Sequence, residues 1–138
     1  LYSERIAAED MGMYEDYPLG NLGRLQAEMF RAVRLVVDTG IHSKRWSRER
    51  AIDYMLNKTG MTEAEVTREI ERYVVWPGQA TAYKVGQIYM LRLRSMAEEE
   101  LGDQFDIREF HEMILMNGAM PLEILEESVT SWVSSFVR

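Results

Sequence analysis

Two stretches of this sequence hold most of the side chains able to do chemistry. In "AEMFRAVRLVVDTGIHSKRW", Arg31 and Arg34 are three residues apart and share one side of a helix. Glu28 and Asp38 stand at pairing distance from them, as Glu28–Arg31 and Arg34–Asp38. Such a row serves either as a solvated, salt-bridged face or as an arginine wall that grips a substrate carboxylate through two parallel hydrogen bonds. His42 follows Asp38 and Thr39 at the helix end. An imidazole there can donate to a reacting oxygen, with Asp38 fixing its tautomer. The commoner use of such a histidine is to cap the last helical carbonyls, which the helix dipole favours.

The second stretch is "WPGQATAYKVGQ". Gln79 and Tyr83 are four residues apart and point the same way, with Lys84 and Gln87 as further polar groups. The surrounding helix looks apolar on every side, which predicts burial. Polar groups buried there either satisfy backbone atoms freed by the Pro77-Gly78 break or line a cleft where the backbone comes close to a ligand. Both uses fit the residues equally well.

No catalytic constellation is complete within the chain. His42 and His111 are its two histidines, no second histidine follows His111-Glu112 at metal-binding spacing, and cysteine is absent. No metal site is therefore expected inside this chain. There is no nucleophile elbow, P-loop or Gly-rich dinucleotide motif.

The elements that must position these residues read as helix after helix. A first helix is expected over residues 1–11, with no capping residue before it. A second carries Leu22, Leu25, Met29, Val33 and Val36 at helical spacing and should end at a left-handed Gly40. Ser47 should cap a short third helix. Thr62 and Glu65 form a capping box that opens a fourth, which places Val66, Ile70, Tyr73 and Val74 on one face. Pro77 should stop that helix and start the next, expected to run over residues 77–101. Asp106 with Glu109 opens another, and Pro121 a last one striped by Leu125, Val129, Trp132 and Val133. No segment reads as a strand. The expectation is one all-α domain over residues 1–138, an irregular bundle of about six helices.

Composition agrees: 46% of the 138 residues are hydrophobic and 28% charged, the balance of a globular chain. A net charge of −7 argues against broad nucleic-acid binding. No apolar run approaches the ~18 residues of a spanning helix, so no membrane partner is expected. The compartment stays open.

Three stretches together resemble a known bacterial family, domain of unknown function 885. They are "RLQAEMFRAVRLVVDTGIHSKRWSRERAIDYM", "ERYVVWPGQATAYKVGQ" and "FDIREFHEMILMNGAMPLEILEESVTSWV", in the family's order over nearly the whole chain. The most specific pieces are "RLVVDTGIH…W" and "YVVWPGQ…YK.G". The resemblance implies that the chain is the C-terminal part of a longer helical protein, similar to zinc metallopeptidases of the gluzincin type. Upstream, such proteins carry H-E-x-x-P-G-H-H and a helix reading E-G-W-x-L-Y, whose last two residues Leu1-Tyr2 match.

Zinc is therefore expected in the full-length protein, with none of its ligands here, and the piece alone should not be active. By position, Tyr83 corresponds to an oxyanion-stabilising tyrosine of related enzymes and His42 to their histidine. Gln79 and Lys84 would bind a substrate carboxylate, with Arg31 and Arg34 in the cleft wall. The implied partners are a peptide-like substrate and the missing N-terminal part, and the piece by itself should self-associate. A noncatalytic all-α interaction module is the alternative.

Overall fold

Local capping signals set most helix boundaries, and a computed structural model describes residues 1–136. Its described residues form seven α-helices and no strand: α1 Tyr2–Glu9, α2 Pro18–His42, α3 Arg48–Lys58, α4 Glu63–Val75, α5 Ala82–Leu101, α6 Ile107–Met116 and α7 Leu122–Phe136. The all-α expectation holds. Ser47 caps α3 by accepting from the Arg50 N–H at 3.2 Å. The α4 capping box is complete, since Thr62 Oγ1 accepts from the Glu65 N–H while Glu65 accepts from the Thr62 N–H. Asp106 accepts from the Arg108 N–H at 2.7 Å to open α6. No helix is long and apolar enough to cross a membrane among the described residues.

Two helix boundaries differ from expectation. Gly40 does not end α2, which continues to His42 in ordinary helical geometry. The reason for glycine is steric: a Cβ at Gly40 would sit 2.6 Å from the Trp46 ring. That ring cannot simply swing away, because it also packs against Tyr54 at 5.4 Å and carries the Arg50 guanidinium at 4.4 Å. At the second boundary, α4 ends at Val75 and α5 begins only at Ala82. Between them Gly78 takes φ +81°, open to glycine without strain, and Gln79–Thr81 form one 3-10 turn.

Residues 1–85 and 86–138 form two compact units, with α5 running through the boundary. The first unit has its core where Val33 and Val37 of α2, Ile52 and Met55 of α3, and Val66, Ile70 and Tyr73 of α4 meet. In the second, Leu93, Ala97, Phe110, Leu125 and Val129 are buried.

Helix α2 keeps Val33 of its apolar stripe inside but is rotated from its sequence reading. Leu22, Leu25, Met29 and Val36 of its apolar stripe are exposed, whereas Arg34 and Asp38, on its polar side, are 4% and 3% exposed. The buried face is centred on Val33 and Val37, a quarter-turn away from the stripe's axis. The start of α5 differs as well: Ala82, Tyr83 and Ile88 are exposed, so the helix is not covered on every side.

Candidate functional site

Helix α2, helix α4 and the turn after Gly78 bring a polar cluster together in the first unit. Its anchor is Asp38, whose two carboxylate oxygens both accept from the Gly78 N–H, each at 3.1 Å. This contact fixes the Pro77-Gly78 break against α2. It also answers the earlier expectations for Asp38: the residue pairs neither with Arg34 nor with His42.

Arg34 reaches across to the same turn. Its Nη2 donates to Gln79 Oε1 at 3.1 Å, and its guanidinium carbon lies 4.4 Å from the centre of the Tyr83 ring. The Tyr73 and Phe30 rings stand 5.4 and 5.5 Å away, so the cation is walled by aromatic faces. Gln79 Oε1 also accepts from Arg72 Nη1 at 3.1 Å. The Gln79 amide nitrogen donates to the Tyr83 hydroxyl oxygen at 3.2 Å. Tyr83 itself is 44% exposed.

The remaining candidates are placed apart from this contact set. Lys84 Nζ bonds Glu28 Oε1 at 2.6 Å, and Glu28 also pairs with Arg24 at 3.2 Å rather than with Arg31. The Lys84 hydrogen bond outweighs burial and holds the Glu28 carboxyl below its usual range. Arg31 lies over the Phe30 ring at 5.0 Å, and its buried Nε has no hydrogen-bond partner. The Nε of Arg34 is likewise buried without one. His42 Nε2 stands 2.9 Å from the Tyr73 carbonyl oxygen. A carbonyl can only accept, so this nitrogen carries the proton. His42 therefore caps the last turn of α4, not of its own helix.

Three residues in the cluster were not singled out as polar candidates: Glu69, Arg72 and Tyr73. Glu69 Oε2 accepts from Arg72 Nη2 and from the Tyr73 hydroxyl, both at 2.6 Å. Their signal in the sequence is faint, a Glu and an Arg three apart on α4 with the Tyr beside them. Among the described residues no group of three or more His, Cys, Asp or Glu side chains converges.

The Glu69 network gives a pH dependence. Burial raises the Glu69 pKa, but the hydrogen bonds from Tyr73 and Arg72 and the arginine charges more than offset it, leaving the group below its ordinary 4.5. A lowered folded value means stability that is present above the ordinary pKa and is lost as pH falls through the folded one. For Tyr73 the sign is opposite: burial, then the bond to Glu69, pushes its hydroxyl well up, so stability holds below pH 10 and falls as the pH rises beyond it. Melting temperatures of the chain measured from pH 7 down to 3 should fall below about pH 4.5. Glu69→Gln should make that acid limb shallower, leaving the part due to Glu28; an unchanged limb would remove Glu69 as a source of it.

The family model described as "Bacterial protein of unknown function (DUF885)" matches residues 1–129. A solved structure described as "the putative lipoprotein from Colwellia psychrerythraea" is 56% identical, with a TM-score of 0.94, over 97% of this chain and 23% of that one. The chain thus spans about a quarter of the length of the protein it matches. No curated protein matches it.

Proposed function

The chain belongs to the DUF885 family, and from that premise we propose that it is the C-terminal portion of a zinc-dependent peptidase, which it provides with a cleft wall and an oxyanion donor. The observation that carries this reading is the Tyr83 hydroxyl. Its oxygen already accepts from Gln79, its ring rests on a buried guanidinium, and it is partly open to solvent. A phenol so held keeps its own O–H for an outside acceptor. When water adds to a peptide carbonyl, negative charge gathers on the carbonyl oxygen, and a fixed donor at that point lowers the barrier.

Arg31 and Arg34 supply the second half of the reading. The Arg31 Nε–H, which has no partner, suits a carboxylate, which accepts two parallel bonds from one guanidinium. Arg34, tied to Gln79 and walled by rings, belongs to the cleft wall. The substrate class is then a peptide with a free carboxylate near the scissile bond. Zinc ligands would come from the rest of a longer chain, and so would the cover for the exposed α2 stripe. That the solved relative is some four times longer is consistent with both.

The test uses the full-length protein that carries this chain and a peptide panel presented with free and with amidated C-termini. The expected result is cleavage that a chelator abolishes and that favours the free carboxylate by about tenfold or more, the difference one charge-assisted bond makes. Arg31→Ala should erase the preference by raising KM on the free-carboxylate peptides alone. Cleavage that ignores chelator, or no cleavage of any peptide, would sink the peptidase reading.

A noncatalytic interaction module is favoured by a different observation, the row of exposed Leu22, Leu25 and Met29 on α2. Such patches usually meet a partner. The peptidase reading accounts for the same stripe and also for the polar cluster.

A further inference from the structure

We propose that Glu69 and Arg72 act through Gln79 as positioning residues that set the direction of the Tyr83 hydroxyl. This rests on the reading of Tyr83 as an oxyanion donor. The inference follows from what each group can do. A guanidinium has only donors, so the Gln79 atom that faces both Arg34 Nη2 and Arg72 Nη1, each at 3.1 Å, must be its carbonyl oxygen. The amide nitrogen is thereby turned to Tyr83, where it donates at 3.2 Å. The phenol oxygen accepts, and its proton is left for the substrate side. The flipped amide would press N–H groups against two guanidiniums and draw the phenol proton onto the carbonyl.

The order of the chain runs from the core outward. Tyr73 is 1% exposed and donates to Glu69 Oε2, which also holds Arg72 Nη2 at 2.6 Å. Arg72 is thus fixed on one edge by a carboxylate anchored in the core, and with its other edge it fixes Gln79. Only the amide N–H groups of Gln79 could donate to a substrate carboxylate, and one of them is already given to Tyr83. The glutamine is instead the element that converts a fixed positive charge into a directed phenol.

Gln79→Glu is the informative change because it keeps size and keeps an acceptor for both arginines. A carboxylate has no N–H, so it accepts the Tyr83 proton instead of donating to its oxygen. In the full-length protein, kcat on a panel peptide that the wild type cleaves should fall about 100-fold, close to the fall in Tyr83→Phe, with KM little changed. The melting temperature should hold or rise, because the new carboxylate meets two guanidiniums. A purely structural role predicts the opposite pairing, kept activity with lowered stability. Wild-type kcat in Gln79→Glu beside a crippled Tyr83→Phe would overturn the relay and leave Tyr83 standing. Wild-type kcat in both would remove the Tyr83 reading and the relay together.

If no peptide is cleaved, urea unfolding of the chain decides the relay. Arg72→Met and Tyr83→Phe should be coupled by about twofold or more in the unfolding equilibrium constant, and uncoupled when Gln79→Leu is present in every member of the cycle. Additivity with Gln79 intact would overturn the relay.

Discussion

Tyr83→Phe in the full-length protein is expected to lower kcat for peptide hydrolysis by about 100- to 1,000-fold while KM changes little. The size follows from what the substitution removes. Phenylalanine keeps the ring on the Arg34 guanidinium, 4.4 Å from its centre, so packing and the cation–π contact survive. Only the hydroxyl is lost, together with its bond from Gln79. A donor aimed at the developing oxyanion contributes more in the transition state than in the bound substrate, so its loss appears in kcat. With the ring 44% exposed, the fold should tolerate the change, and the melting temperature should move by no more than a degree or two. Steady-state kinetics on a single panel peptide checks this; a variant within threefold of wild type in kcat rejects Tyr83 as the donor.

Phe110→Ala should destabilise by about 3–5 kcal/mol, a large share of the stability of any single domain. Phe110 is fully buried in the second unit, with the Phe105 and Trp132 rings 6.0 and 6.2 Å away in tilted packing. Truncation would remove its apolar area and also leave a void bounded by rigid rings that relax poorly. Leu115, five residues on in the same helix, is 75% exposed, and Leu115→Ala should stay within about 0.5 kcal/mol of wild type. Urea unfolding of both variants makes the comparison internal to one helix. A loss below about 1 kcal/mol for Phe110→Ala would mean that the core of this unit repacks freely.

The contrast between these two residues also marks what could be read from the chain alone. Caps and breaks are local, so Ser47, the Thr62–Glu65 box, Asp106 and the stop at Pro77 were legible from neighbouring residues. So was the Gln79–Tyr83 contact, because four-residue spacing brings side chains together even across a 3-10 to α junction. The burial of α2 was not. Its apolar stripe and its arginine row lie on different sides, and which side a helix turns inward depends on what packs there, not on its own pattern. Arg34 and Gln79 are 45 residues apart, and no spacing rule links them. Tyr73 was legible as a core residue but not as a hydroxyl donor, since nothing in the sequence sets its partner Glu69 apart from other acids. Gly40 read as a terminator when its reason was the bulk of Trp46 beside it.

The bond between Asp38 and Gly78 has a mechanical consequence. Both oxygens of a 3% exposed carboxylate depend on one N–H in an exposed turn. Lifting that turn would strip the anion of its donor while it is still shielded from water, which is costly. The Pro77-Gly78 break, by composition the natural place for a hinge, therefore behaves as a latch. It holds the end of α4 and the residues leading to Tyr83 in one fixed piece with α2, and any motion that admits a ligand must bend the chain somewhere else.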